Sequence, residues 1–330
     1  MDEQIDFLAI GDIVTDAFIR VNDAVVKTDP DGTHPLLCFR YGEKVPFDSV
    51  EEVRAVGNSA NAAVSAARLG LKSALLAHVG KDTQGEACLA ELAKNNVNAH
   101  YVFSHEGIPT NYHYVLWHDV ERTILVKQNK YPAMMPNMPI PPKMIYLSSL
   151  GNDTEEYHHQ IAAYIVAHPE IKLMFNPGTF QMKLGTEMLK DIYGNTYGLF
   201  CNFEEAELIT KTNTRDVKIL IKALHLLGPK LVFISDGMNG AYASDGNEMW
   251  FMPVYPHAPY ERTGAGDAFS STISVALLMG KPLGEALKWG PINSMSVVQF
   301  VGAQKGLLTE AALEGYLANA PADYQPTMML

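Results

Sequence analysis

Glu261-Arg262-Thr263-Gly264-Ala265-Gly266-Asp267-Ala268-Phe269 runs straight into a long apolar segment. Its two glycines allow a tight turn in which successive backbone N–H groups point the same way. The segment that follows, 267–279, has the pattern of a helix, whose N-terminal end carries partial positive charge. Turn and helix together make a cradle for an anion. Asp267 stands at its rim, where a carboxylate is favoured in its charged form and can accept a proton from a hydroxyl. A glycine turn closed by an N-capping aspartate has the same local pattern, so the stretch gains chemical meaning only from its surroundings. A dinucleotide fingerprint fails, because Phe269 stands where the third glycine of Gly-x-Gly-x-x-Gly belongs. A Walker loop fails too, since no Gly-Lys-Ser/Thr follows.

Working outward, the cradle helix is one of several that alternate with short apolar runs. Residues 7–11, 74–79, 144–147, 172–175, 199–201 and 231–234 read as buried strands. Helical patterns cover 58–69, 84–94, 155–166, 216–226, 267–279 and 283–300. That alternation predicts an α/β fold, a mainly parallel sheet covered on both faces. Two segments break the rhythm with alternating, strand-like pieces. They are expected to form a small separate sheet, a lid spanning about 17–56 and 100–130 on a single α/β body of residues 1–330. The Pro-rich stretch 131–142 reads as the return from lid to body.

Composition narrows the function classes. The net charge of −12 argues against a nucleic-acid or anionic-membrane partner. An apolar fraction of 47% is enough for a large core and excludes global disorder. Three scattered cysteines (Cys38, Cys88, Cys201) offer neither a disulfide framework nor a zinc site and fit a reducing compartment. The first residues carry no basic run, so no secretory signal is expected. The apolar stretch around residues 62–79 is broken by Arg68, Lys72 and His78, and no uninterrupted apolar run reaches the roughly 18 residues a membrane span needs. A cytoplasmic location follows as the expectation.

Six stretches in order resemble the ribokinase-like, PfkB-type carbohydrate kinases. Ala9-Ile10-Gly11-Asp12-Ile13-Val14-Thr15-Asp16 is similar to the family's first strand with its acidic substrate ligand. Val56-Gly57-Asn58-Ser59-Ala60-Asn61-Ala62-Ala63, then Ala67-Arg68-Leu69-Gly70 and Val79-Gly80-Lys81-Asp82 with Gly85, resemble the N-terminal signature. Asn202-Phe203-Glu204-Glu205, Ser235-Asp236-Gly237 with Gly240, and Asn293 are further matches, and Thr263–Phe269 resembles the C-terminal signature. Together they cover nearly the whole chain.

The resemblance implies a three-layer α/β/α body with a β lid, and ATP-dependent phosphorylation of a small sugar. Asp267 would be the base, with the amides of Gly264, Ala265 and Gly266 stabilising the transferring phosphoryl group. Asn202, Ser235, Gly237, Gly240 and Asn293 would bind nucleotide, and Glu205 would hold Mg²⁺ through water. Asp12, Asp16, Gly57, Asn58 and Asn61 would hold the sugar. Glu261 and Arg262 depart from the family's Asp-Thr, which weakens the case for a monovalent-cation site. Ser148-Ser149-Leu150-Gly151 lacks the acidic sugar ligand of ribokinases, which puts ribose itself in doubt. A nucleoside kinase is the alternative, with Phe39, Tyr114 and Trp117 as a slot for a base; a silent sugar or nucleotide sensor is the reading from another class. An open lid sheet would also suit a homodimer.

The histidines attract plainer readings. His158 and His159 are expected on a polar helix surface. His113 and His118, five apart on a strand, face opposite ways and cannot share a metal. His105-Glu106 lacks a second histidine four residues on, which excludes a zincin. Arg122 stands on a lid strand where it can reach substrate.

Overall fold

Side-chain alternation along Phe7–Ile10 sets the architecture: Phe7 and Ala9 enter one core cluster, Leu8 and Ile10 the other. The same alternation recurs in the neighbouring strands, where Leu75, Ala77 and Tyr146 join the first cluster and Leu76, Ile145 and Leu147 the second. A strand buried on both faces must be covered by helices on both. The computed structural model describes residues 3–32 and 34–329 and shows that arrangement.

Among the described residues ten strands form the central sheet. From one edge they run Val102–His105, Ser73–Gly80, Phe7–Ile10, Met144–Leu147, Lys172–Phe175, Thr196–Asn202 and Leu231–Ser235, all parallel. Ala241–Ser244, Met249–Met252 and Thr327–Met329 extend the other edge antiparallel. The first cluster is covered by the helices Asn58–Arg68, Thr83–Lys94, Ala265–Leu278 and Leu283–Val297, the second by Glu155–Ala167, Phe203–Thr210 and Val217–His225. Each fully buried Leu or Phe in these layers contributes about 1.5–3 kcal/mol.

A separate four-stranded sheet orders Ser49–Val56, Val14–Arg20, Tyr112–His118 and Glu121–Leu125 side by side. Val25–Thr28 and Pro35–Cys38 form a further hairpin. The expected lid boundary at residue 100 is too early: Val102–His105 pairs with Ser73–Gly80 and belongs to the central sheet. Its short run could not announce which sheet it would join, because pairing partners are not written in strand periodicity.

Chain order reverses between Phe7–Ile10 and Met144–Leu147. One side continues to Ser73–Gly80 and the other to Lys172–Phe175, which opens a crevice at the carboxyl ends of the strands. The backbone leaves Ile10 through Gly11 and Asp12, whose N–H donates to Ser149 O at 2.9 Å across that gap.

Candidate active site

The crevice holds a cavity of about 480 Å³ lined by the ends of five central strands, the small sheet and the turn at Gly264. Gly264 takes φ +81°, and a Cβ there would lie 2.3 Å from Ala303 Cβ, so glycine is required on both counts. The helix begins at Ala265, two residues earlier than its sequence pattern suggests. Its first strong backward bond runs from Ala268 N to Gly264 O at 2.9 Å, and the amides of Gly266 and Asp267 have no partner among the described residues. Asp267 therefore lies inside the first turn and does not cap the helix.

Its carboxylate instead meets the opposite wall. Asn61 Nδ2 donates to Asp267 Oδ2 at 2.7 Å. Burial pushes the Asp267 carboxyl up to about 6, against the lowering pull of Asn61, the Arg122 guanidinium and Asn58. Asn61 rides on the helix that starts after Gly57, where φ is +113° and a Cβ would lie 2.7 Å from Asp12 O. Asn61 was expected to hold a sugar hydroxyl; its amide is engaged with Asp267 and, through Oδ1, with Gln304.

Asp12, Asp16, Gly57 and Asn58 line the same cavity. Asp12 accepts a short hydrogen bond from Gln128 Nε2, and burial raises its carboxyl to about 7 although Gln128 opposes the shift. Asp16 Oδ1 lies 3.4 Å from His113 Nδ1, since Val14–Arg20 and Tyr112–His118 run parallel with these two residues in register. His118 points elsewhere, with Nδ1 on Val21 O. Asp16 Oδ1, His113 Nε2, Arg122 Nε and Gln128 Oε1 are all buried, and none has a hydrogen-bond partner among the described residues. All four residues also contribute to the lining of this cavity. His113 and Gln128 carry no motif, and only the parallel pairing of two lid strands brings His113 to Asp16.

Asn202 and Glu205 close another side. They form a capping box: Glu205 N donates to Asn202 Oδ1 and Asn202 N to Glu205 Oε2, each at 2.9 Å. The remaining oxygen, Oε1, has no protein partner among the described residues, and burial together with nearby Asp267 raises the Glu205 carboxyl. A hard oxygen donor in an anionic neighbourhood suits Mg²⁺. Among the described residues no group of three or more His, Cys, Asp or Glu could cage a metal. Mg²⁺ that keeps its waters and is shared with substrate phosphates needs no such cage.

Past Gly266 the cavity continues into a second chamber of about 190 Å³. Ser235, Gly237 and Gly240 line it, with Val254, Pro291 and Val298 as an apolar wall. Asn293, expected beside the nucleotide, is not there. It is fully buried, donating to Thr272 Oγ1 at 2.8 Å and accepting from Leu308 N at 2.9 Å. Its place on the inner face of the helix turns it into the core, and Pro291 and Ser294 face the chamber instead. Of the proposed base slot, none of Phe39, Tyr114 or Trp117 lines either cavity. Phe39 and Tyr114 are exposed, and Trp117 is buried against Tyr260 and beneath Arg20. His158 is likewise buried rather than on the surface, its ring between Thr154 O at 2.7 Å and Gln181 Nε2 at 3.0 Å, and burial lowers its pKa.

Residues 27–310 match the family described as pfkB family carbohydrate kinase. The ribokinase of Bacillus subtilis is 30% identical over 284 residues, an alignment of 84% of this chain with 92% of that protein. Among solved structures, the nucleoside kinase of Methanocaldococcus jannaschii superposes with a TM-score of 0.79 at 18% identity, covering 96% of this chain and 99% of that one. The Arabidopsis thaliana ribokinase complexed with ribose and ATP superposes with a TM-score of 0.78 at 19% identity, covering 96% and 99%.

Proposed function

The chain belongs to the pfkB family of carbohydrate kinases, and on that premise we propose that it moves the γ-phosphoryl group of ATP onto a hydroxyl of a small sugar, with Asp267 as the base. It is an ATP-dependent phosphotransferase with an alcohol group as acceptor. The observation that carries the sugar reading is the polar lining of the first cavity, where Asp12, Asp16, Asn58, His113, Arg122 and Gln128 come together. A buried polar group without a partner costs about 1–3 kcal/mol. A polyhydroxylated acceptor, whose every hydroxyl donates and accepts, satisfies donors and acceptors alike. Phe39, Tyr114 and Trp117 supply no slot for a nucleoside base in this cavity.

In this reading the acceptor oxygen bonds to the γ-phosphorus while the bond to ADP breaks, and the hydroxyl proton passes to the Asp267 carboxylate. Asn61 holds Oδ2, leaving Oδ1 for that proton. The unpaired amides of Gly266 and Asp267 face the charge on the transferring group, an effect of roughly 3–4 kcal/mol per well-placed donor. Glu205, with Asn202, would hold Mg²⁺, which when bound neutralises phosphate charge. Ser235, Gly237 and Gly240 would border the nucleotide, and its base would rest on the apolar wall of the second chamber. Asp12, Asp16 and Asn58 would take sugar hydroxyls.

The small sheet serves as a lid that excludes water, within one body that includes the whole chain. Its exposed Val50 and Leu125, which do not line the cavity, suit pairing with a second copy's lid. No helix among the described residues is long and apolar enough to cross a membrane. The experiment is ATP consumption against a panel of sugars and nucleosides. Turnover with one sugar class supports the reading; turnover with nucleosides alone overturns the sugar, and tight binding without turnover overturns the kinase.

A further inference from the structure

We infer that Gln304 is a positioning residue for phosphoryl transfer: it fixes which way the Asn61 amide faces, and through Asn61 holds one oxygen of Asp267 so that the other meets the acceptor. The inference rests on the reading of Asp267 as the base. Nothing in the sequence marks Gln304, which lies beyond the helix Leu283–Val297 and outside every motif.

The chain of bonds has a direction. Gln304 Nε2 donates to Ala55 O at 2.7 Å and to Asn61 Oδ1 at 3.0 Å. A backbone carbonyl only accepts, so the NH₂ end of Gln304 must face Ala55. That same NH₂ supplies the hydrogen to Asn61 Oδ1. Asn61 must then turn its own NH₂ the other way, and Nδ2 reaches Asp267 Oδ2 at 2.7 Å. Flipped over, Asn61 would set its oxygen against a carboxylate oxygen, two acceptors with no hydrogen between them. Gln304 is 6% exposed and Asn61 4%, so water is poorly placed to replace either bond. One main-chain carbonyl thus determines the polarity of the contact on the base.

The backbone around Gln304 is held to the same end. Arg68 Nη1 donates to Gln304 O at 2.7 Å and to Leu307 O at 2.9 Å. The preceding residue, Ala303, packs against Gly264 at the cradle turn, and Gly302 N donates to the buried Glu261. The loop therefore supports both the anion cradle and the residue that orients the base. Other groups face Asp267 from elsewhere: Arg122 on the lid, Glu205 at the start of its helix, Tyr146 on the central sheet and Asn58. None of these bonds to Asn61, so none can set its orientation.

The test is Gln304→Met, which keeps the length and removes the donor, made alone and in an Asp267→Asn background. With a sugar acceptor that the native enzyme turns over, the single variant should lose roughly tenfold to a hundredfold in kcat, with KM for ATP within about twofold. In the Asp267→Asn background the same change should cause no further loss, because there is no base left to aim. An unchanged kcat in folded Gln304→Met, beside an inactive Asp267→Asn, overturns the inference and leaves the base reading intact. Equal fractional losses in both backgrounds make Gln304 merely structural and overturn it as well. A rate that survives Asp267→Asn overturns the base reading instead. Should Gln304→Met fail to fold, Asn61→Ala breaks the chain at its middle link, and the same two-background comparison decides.

Discussion

The side-chain amide of Asn61 donates to Oδ2 of Asp267 at 2.7 Å, joining the two glycine turns, at 57 and 264, that lie more than 200 residues apart. An amide can donate to the carboxylate whether or not a substrate is present, so the base proposed at Asp267 is held before the acceptor arrives. Burial raises the Asp267 carboxyl to about 6, with Asn61 and Arg122 limiting the rise. A base must be ionised to work. kcat/KM should therefore be level above that pH and fall about tenfold per unit below it, as the proton occupies the carboxylate. A profile that stays level down to pH 4.5 would show that the limiting base is another group.

Removing Arg122 should move that limb. Its guanidinium lowers the Asp267 pKa, and its Nε lies 3.9 Å from the buried carboxylate of Glu261. Arg122→Met should shift the acidic limb of kcat/KM to higher pH and lower the melting temperature, because Glu261 loses its nearest cation. Arg122→Lys should bring the limb partly back, since a point charge replaces part of the field but not the planar fork. A limb unmoved in both variants contradicts the electrostatic link.

Glu205→Gln separates metal handling from helix capping. Glutamine can still accept the Asn202 N–H, so the capping box and the fold should survive. The Mg²⁺ concentration for half-maximal rate should rise and turnover fall, while metal-free nucleotide binding changes little. An unchanged magnesium titration removes Glu205 from the metal's surroundings.

Asp12 yields a stability prediction with a definite sign. Burial raises its carboxyl in the folded state from the ordinary 3.8 to about 7. Between those values the folded chain binds more protons than the unfolded one, so Asp12 makes stability fall as pH rises from about 4 to about 7. Asp12→Asn should therefore melt higher than the native enzyme at pH 8 and nearly together with it at pH 4. Each kcal/mol relieved is worth roughly 2–4 °C. A lower melting temperature at pH 8 would show that the ionised carboxylate is paired rather than stranded.

The parts of the site written in local chemistry were legible in the sequence. Gly264 and Gly57 announce themselves because only glycine takes those backbone angles under those contacts. The parallel strands announce themselves as apolar runs, since both faces are buried. What was hidden depends on pairing and rotation. His113 reaches Asp16 only through the register of two strands of the small sheet, and Asn293 misses the second chamber because its helix turns that face inward. His158 reads as polar surface because a buried histidine bonded to Gln181 has the same sequence pattern as an exposed one. Gln304 had no signal at all. The strands Ala241–Ser244, Met249–Met252 and Thr327–Met329 were missed because short edge strands lack the length that periodicity needs.

Asp267→Asn tests the base assignment most directly. The substitution keeps the volume, and the native carboxylate makes no capping bond that the helix would lose. Asparagine cannot take a proton from the acceptor hydroxyl, and losing a general base costs about 10²–10⁴ in rate. Removing a negative charge beside the unpaired amides of Gly266 and Asp267 should leave ATP affinity equal or slightly tighter. The measurement is turnover with a competent sugar, alongside ATP affinity and melting temperature in the same preparation. The base role predicts a fall in kcat of at least roughly a hundredfold with binding and stability retained; a fall of less than about tenfold in a well-folded variant would contradict it.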